Sequence, residues 1–163
     1  MSPSVHIRDP AAHERPQLLA LHKQLYIAHR ESVLQGEELL ATQFRNFEEV
    51  LTQDLLSLLR DRQAVVLVAV RDDVLVGYIS ARIQEDGRRV LPRRGDVEDW
   101  FVVDNGRGQG IGRALMTEMQ KRLRSLGCQL MQSSTWARNK GALAAHEAVG
   151  FRPARVTFRL DLD

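Results

Sequence analysis

Cysteine is nearly absent from this 163-residue chain: Cys128 stands alone. A lone cysteine excludes an intrachain disulfide and a multi-cysteine metal site, and it suits a reducing compartment. Lysine is almost as scarce, with Lys23, Lys121 and Lys140 the only three, so arginine carries most of the positive charge. Lys+Arg 23 against Asp+Glu 21 leaves a formal charge of +2, which gives no footprint for nucleic acid or for a membrane surface. The longest apolar run, residues 64–70, is far too short to span a bilayer, and the first ten residues hold no apolar signal core. His6, His13, His22 and His29 have no ligand-like spacing around an acid or a cysteine, so no metal site is expected. Repeats, linkers and low-complexity segments are missing too. What these absences leave is one soluble, cytoplasmic domain over residues 1–163, with 44% hydrophobic residues to build its core.

The chain is organised around residues 96–114, DVEDWFVVDNGRGQGIGRA. Val97, Trp100, Phe101, Val102 and Val103 read as a strand, Gly106, Gly108, Gly110 and Gly112 as a loop, and the run from Ile111 as an amphipathic helix. A helix start leaves about four N–H groups unpaired and carries roughly half a positive charge, so a glycine-rich entrance admits an anion to those donors. The spacing excludes two common phosphate motifs. The dinucleotide pattern G-x-G-x-x-G fails because Ile111 or Arg113 falls at the third glycine, and the acidic residue expected about 20 residues on is missing. A P-loop fails because the stretch has no lysine.

What fits is R-x-x-G-x-G, as Arg107, Gly110 and Gly112. A second pattern follows at Asn139, Ala142, His146, Glu147, Gly150 and Phe151. Together they resemble the acyl-CoA-binding loop and the Asn-x-x-Ala…Tyr-Glu-x-x-Gly-Phe helix of the GNAT superfamily of N-acetyltransferases, with His146 in the place of the tyrosine. The resemblance implies an α/β fold, a single GNAT-like domain whose mixed, mainly antiparallel sheet is flanked by helices. It implies acetyl-CoA as cosubstrate, a primary amine on a small molecule or peptide as acceptor, and direct attack in a ternary complex. The competing reading is a non-catalytic acyl-CoA-binding regulatory module. A homodimer is compatible with either.

The remaining elements agree in order. A short strand is expected over residues 4–8, a helix from near Pro16 with the stripe Leu18, Leu21, Leu25 and Ala28, and an irregular stretch over 31–45. Asn46 with Glu49 spells a capping box for a second helix ending near Arg60. Residues 64–70 and 74–83 read as a hairpin around Arg71-Asp72-Asp73, residues 129–136 as a strand, and the Asn139 segment as a helix. The tail alternates strictly, Val156, Phe158, Leu160 and Leu162 against Thr157, Arg159 and Asp161, and predicts a half-exposed antiparallel strand. The arginines 88, 89, 93 and 94 read as a solvated loop.

By resemblance, the cofactor lies along the backbone of Phe101, Val102 and Val103, on the loop Arg107, Gly108, Gln109, Gly110, Ile111, Gly112 and Arg113, and beside Asn139 and His146. An amine with a pKa near 10.4 must lose a proton to attack, so a base is needed. Glu98 is the first choice and Asp96 the second; simple alternation places both on one face with Trp100, and Asp99 on the other with Phe101. His146 is expected to protonate the departing thiolate. Glu37 and Glu38, in the segment that builds the family's acceptor site, are expected to favour a cationic acceptor.

Overall fold

The computed structural model describes residues 4–162. In chain order these form β1 (His6–Arg8), α1 (Arg15–Ser32), α2 (Glu37–Thr42), α3 (Phe47–Arg60), β2 (Ala64–Arg71), β3 (Val74–Glu85), β4 (Arg93–Val102), α4 (Ile111–Ser125), β5 (Leu130–Ser133) and α5 (Lys140–Ala148). The sheet order is β1-β2-β3-β4-β5, with the first four strands antiparallel and β5 parallel to β4. This is the mixed, mainly antiparallel sheet that the sequence predicts.

Each face of the sheet has its own core. On one, Leu115, Met116, Met119 and Leu123 of α4 pack against Leu67 and Ile79. The other takes Leu18 and Leu25 of α1 and Leu55 of α3 against Val68 and Tyr78. Burying a large apolar side chain contributes about 1.5–3 kcal/mol, so these stripes hold the helices in place. Residues 65–70 of β2 are buried on both sides, as their unbroken apolar run requires. Helix α4 lies so close to β4 that a Cβ on Gly95 would collide with the Leu123 side chain. The β2–β3 hairpin turns on Asp72 and Asp73, whose φ angles of 51° and 61° are both positive. That is the left-handed pair a tight two-residue hairpin demands.

Several expectations are corrected. The stretch over 31–45 is not wholly irregular, because Gly36, at φ 51°, leads into α2. Asn46 sits at the N-cap of α3 without a side-chain capping bond. Strand β5 has four residues, not eight. The arginines prove to be neutralised surface: Arg88 and Arg89 pair with Asp86, Arg93 with Glu85 and Arg94 with Asp96.

Two corrections matter for function. Register slips between Ser80 and Ala81, which face Asp99 and Val97, and Glu98 is left opposite no partner. A bulge of this kind inverts the alternation of a strand. Val97 and Trp100 consequently pack toward α4 while Phe101 packs toward α1 and α3. Asp96 therefore does not share a face with Trp100. The second correction is the tail: past the Phe151 amide no backbone hydrogen bond is found among the described residues, and no strand forms. Alternation encodes a face to be buried, but it does not supply the neighbouring strand.

Candidate active site

The site arises where β4 and β5 part. Their parallel pairing runs only from Arg94↔Leu130 to Val97↔Ser133; beyond it the bulge at Glu98 turns β4 away. A cleft of about 980 Å³ opens there, with β4, the loop after it and the start of α4 on one wall, and Ser133, Asn139, Ala142 and His146 on the other. Helix α1 closes one side with Ala28, His29 and Glu31.

At the loop end, Gly110 caps α4 in the left-handed region at φ 79°, with no side-chain cap, and Gly108 has φ 72°. Nothing lies within 4 Å of a Cβ built on either glycine. The first-turn amides of Ile111, Gly112 and Arg113 are unsatisfied by the helix itself, so the residues present fit an anionic group, such as the pyrophosphate that the family resemblance implies. The loop's side chains are otherwise engaged. Arg107 Nε donates to Val102 O at 3.2 Å and its Nη1 lies 3.1 Å from Asp104. Gln109 accepts from Arg71 at 2.8 Å and donates to Asn105 O at 2.8 Å. Arg113 Nη2 reaches across the cleft to Ala148 O, 2.9 Å away. Ile111 is buried in the core beneath. The Trp100 indole donates to Gly112 O at 3.0 Å and clamps the helix start to β4.

Of the three strand residues, only Val102 turns its backbone toward the cleft. The Val103 amide donates to Val76 O at 3.0 Å. Since antiparallel ladder bonds alternate, Phe101 also faces β3 and Val102, opposite Gly77, faces outward. Val103, expected to offer its backbone to the cofactor, is instead committed to β3.

The candidate bases separate sharply. Glu98, at the bulge, lines the cleft and pairs with Arg82 Nε at 2.9 Å. Burial raises its pKa, Arg82 opposes the rise, and Asp99 reinforces it. Asp96 is held by Arg94 at 2.9 Å and is not part of the cleft lining. Neither Glu37 nor Glu38 lines it; Glu38 pairs with Arg138 at 3.2 Å.

Directly behind Glu98 lies a buried polar cluster that sequence reasoning missed. Asp99, only 6% exposed, accepts from Ser80 Oγ at 3.1 Å, and burial pushes its pKa up to about 6. His22 Nδ1 lies 2.8 Å from the Tyr78 hydroxyl and 3.6 Å from Asp99, while its Nε2 is buried without a partner. Burial lowers the His22 pKa and raises that of Tyr78. The available signal was a histidine inside the apolar stripe of α1.

On the facing wall, His146 is held on three sides. Its Nδ1 is 2.6 Å from Ala142 O and its Nε2 2.7 Å from Ser133 Oγ, and Trp100 meets the ring edge-on at 5.2 Å. A carbonyl can only accept, so Nδ1 carries the proton. In the neutral ring Nε2 then accepts from the Ser133 hydroxyl. Ser133 was overlooked because the strand before Asn139 gives no motif. Asn139 caps α5, its Oδ1 accepting from Ala142 N at 3.1 Å.

A smaller cavity of about 310 Å³ adjoins at His29, which lines both spaces. Tyr26, Phe44, Phe47 and Trp136 form its walls, and Arg30 stacks over Phe47 at 4.9 Å.

Comparison with known proteins fits this geometry. Residues 33–151 match the pattern described as the acetyltransferase (GNAT) family. A type 1 aminoglycoside N(6')-acetyltransferase from Stenotrophomonas maltophilia is 35% identical over 120 residues, 71% of this chain and 76% of that protein. A structure of aminoglycoside N-acetyltransferase AAC(6')-Iy in complex with CoA superposes with a TM-score of 0.78 at 22% identity, over 99% of this chain and 97% of that one. The same enzyme in complex with the bisubstrate analogue CoA-S-monomethyl-acetylneamine gives a TM-score of 0.75 at 23% identity, over 98% and 99%.

Proposed function

Since the chain belongs to the GNAT family of acetyltransferases, we propose that it moves the acetyl group of acetyl-CoA to a primary amine by direct attack in a ternary complex, without a covalent enzyme intermediate. The observation that carries this reading is one continuous cleft with a helix start that has no side-chain cap at one end and the partly exposed carboxylate of Glu98 on its wall. The thioester supplies the electrophilic carbonyl and the thiol leaving group. The amides of residues 108–113 hold the pyrophosphate, Val102 presents its outward backbone to the pantetheine amides, and Asn139 borders the same path.

Glu98 takes the proton from the attacking nitrogen, directly or through a water. Its raised pKa makes the carboxylate a better base than an unperturbed glutamate. As the C–S bond breaks, the thiolate draws a proton from the facing wall, where the Ser133 hydroxyl and the His146 imidazole lie in line. With Nδ1 pinned on Ala142 O, a neutral His146 has no proton on Nε2, so it delivers one only as imidazolium, whose Nε2 proton replaces the one that the Ser133 hydroxyl passes to the thiolate.

Aminoglycosides with a free 6'-amine are the first acceptors of choice, because the relatives act on them; Glu31 and Glu98 line the cleft for a cationic sugar. A cytoplasmic setting suits the free thiol of Cys128. The test is release of CoA thiol across a library of primary amines. We expect turnover with at least one aminoglycoside. Tight CoA binding with no thiol release for any amine would establish the non-catalytic module instead.

A further inference from the structure

The smaller cavity beyond His29 is built from side chains that neither core uses. Tyr26, Phe44, Phe47 and Trp136 wall it, and all four lie outside the two apolar clusters on the sheet faces. Aromatic residues make up only 6% of the chain, so four around one space is a concentration. These rings do not close on one another. Tyr26 and Phe44 stand 6.0 Å apart at 45°, and about 310 Å³ is left open between the walls. Protein interiors hold few voids larger than a water molecule, so a minor core alone would have closed up. A space of about 150 Å³ already accepts benzene, which makes this one large enough for one or two fused rings.

Charge narrows the occupant. No carboxylate lines the cavity among the described residues; Glu38 and Glu48, next in sequence to the lining residues Leu39 and Phe47, are taken by Arg138 and Lys23. An aromatic box attracts cations too, but here Arg30 already lies over the Phe47 ring at 4.9 Å, Arg45 lines the same space, and a further cation would meet like charge. A neutral ring meets no such opposition. The inner end of the cavity is also close to the chemistry, since His29 lines both spaces, and burial together with the charges of Asp99, Asp54 and Glu98 pushes the Tyr26 phenol up to about 12. The candidate base and the aromatic box are neighbours.

We propose that the cavity takes an aromatic ring of the acceptor, so that the protein prefers a primary arylalkylamine, whose short linker passes His29 into the cleft, over an amine of the same charge without the ring. This rests on the acetyl-transfer reading and names an acceptor class for it. The ammonium loses one proton to solvent by way of Glu98 and one to the departing thiolate; the N–C bond forms as the C–S bond breaks, and an N-acetyl amide and the CoA thiol leave. Aminoglycosides, whose charges meet Glu31 and Glu98 in the cleft, gain nothing from this second space.

The test compares 2-phenylethylamine with ethylamine, which differ by the ring alone, in release of thiol from acetyl-CoA. Burying a phenyl group is worth roughly 10–100-fold in binding, so kcat/KM should favour 2-phenylethylamine by about that ratio. Trp136→Ala and Phe44→Ala, each checked for fold by circular dichroism, should cut the ratio by about fivefold or more, with the loss in KM rather than kcat. Calorimetric titration of 2-phenylethylamine into the CoA-bound protein makes the same comparison without turnover. Turnover of both amines at a ratio within about threefold overturns the arene site and leaves the transfer reading standing. A preference that both variants retain does the same. If no amine turns over, the transfer reading falls and calorimetry alone decides the cavity: binding lost in either folded variant keeps the arene site, whereas no binding, or binding indifferent to both substitutions, overturns it.

Discussion

The two walls of the cleft are built by opposite means. The wall of β4 and α4 is rooted in the core, with Ile111, Leu115, Met116, Met119 and Leu123 all buried. The wall of β5 and α5 has no buried residue; Met131 packs against the core at its base, and polar ties fix the rest: Arg113 to Ala148 O, Ser133 to His146, and Asn139 to Ala142 N. Apolar packing is non-directional and strong, so it suits a surface that must hold a shape while a charged ligand comes and goes. Hydrogen bonds are directional and individually worth about 0.5–1.5 kcal/mol, so they suit a wall that aims an imidazole.

Substitution can break this contrast at several depths. Gly110→Glu puts a negative charge and a left-handed glutamate at the helix start. CoA affinity should fall by about 10²–10³-fold or more, on the scale of an unpaired buried charge, while circular dichroism shows an intact fold; unchanged affinity by calorimetric titration would remove the phosphate site. Met119→Ala in the first wall should cost about 2–5 kcal/mol in urea unfolding, whereas Leu143→Ala in the second should stay within about 0.5 kcal/mol. Equal losses at the two positions would dissolve the distinction.

His146→Phe removes the aimed ring. Single-turnover rates should drop by about 10²-fold with CoA binding little altered, and His146→Tyr should restore part of the loss. Ser133→Ala should reproduce part of the defect; a His146→Phe rate within about threefold of wild type assigns the proton to water instead. A further prediction concerns Asp99, behind the first wall. Its pKa of about 6 lies above the unfolded value near 3.9, so the folded protein holds a proton that the unfolded chain releases. The stability this provides is complete below pH 4 and lost as pH rises through 6, with a slope of at most about 1.4 kcal/mol per pH unit. Asp99→Asn should flatten that slope in unfolding titrations.

Much of the first wall is legible in the sequence because its information is local. Glycine spacing, a helix stripe and a strand run along consecutive residues, so residue order alone places the loop at Arg107 to Arg113. The bulge at Glu98 is not legible in that way, since it depends on how β4 registers with Ser80 and Ala81. That single slip separates Asp96 from Glu98 and leaves Glu98, not Asp96, on the cleft lining. The cluster of His22, Tyr78 and Asp99 joins residues distant in the chain, His22 and Tyr78 by 56 positions and Asp99 further still, and no spacing rule connects them. The tail shows the opposite failure: its periodicity is plain, yet periodicity names a face and leaves the strand that covers it unspecified.

The hairpin turn at Asp72 and Asp73 has a meaning for how the protein can change. Both residues occupy the left-handed region with side chains that only tolerate it, where Asn-Gly would adopt it readily. The turn therefore stores a reserve of about 1 kcal/mol, equivalent to roughly 2–4 °C in Tm for a chain of this size. It lies on the surface, and two substitutions release it. An engineer reshaping the cleft, or a lineage drifting toward a new amine, could draw on that reserve to offset the destabilisation that new specificity brings.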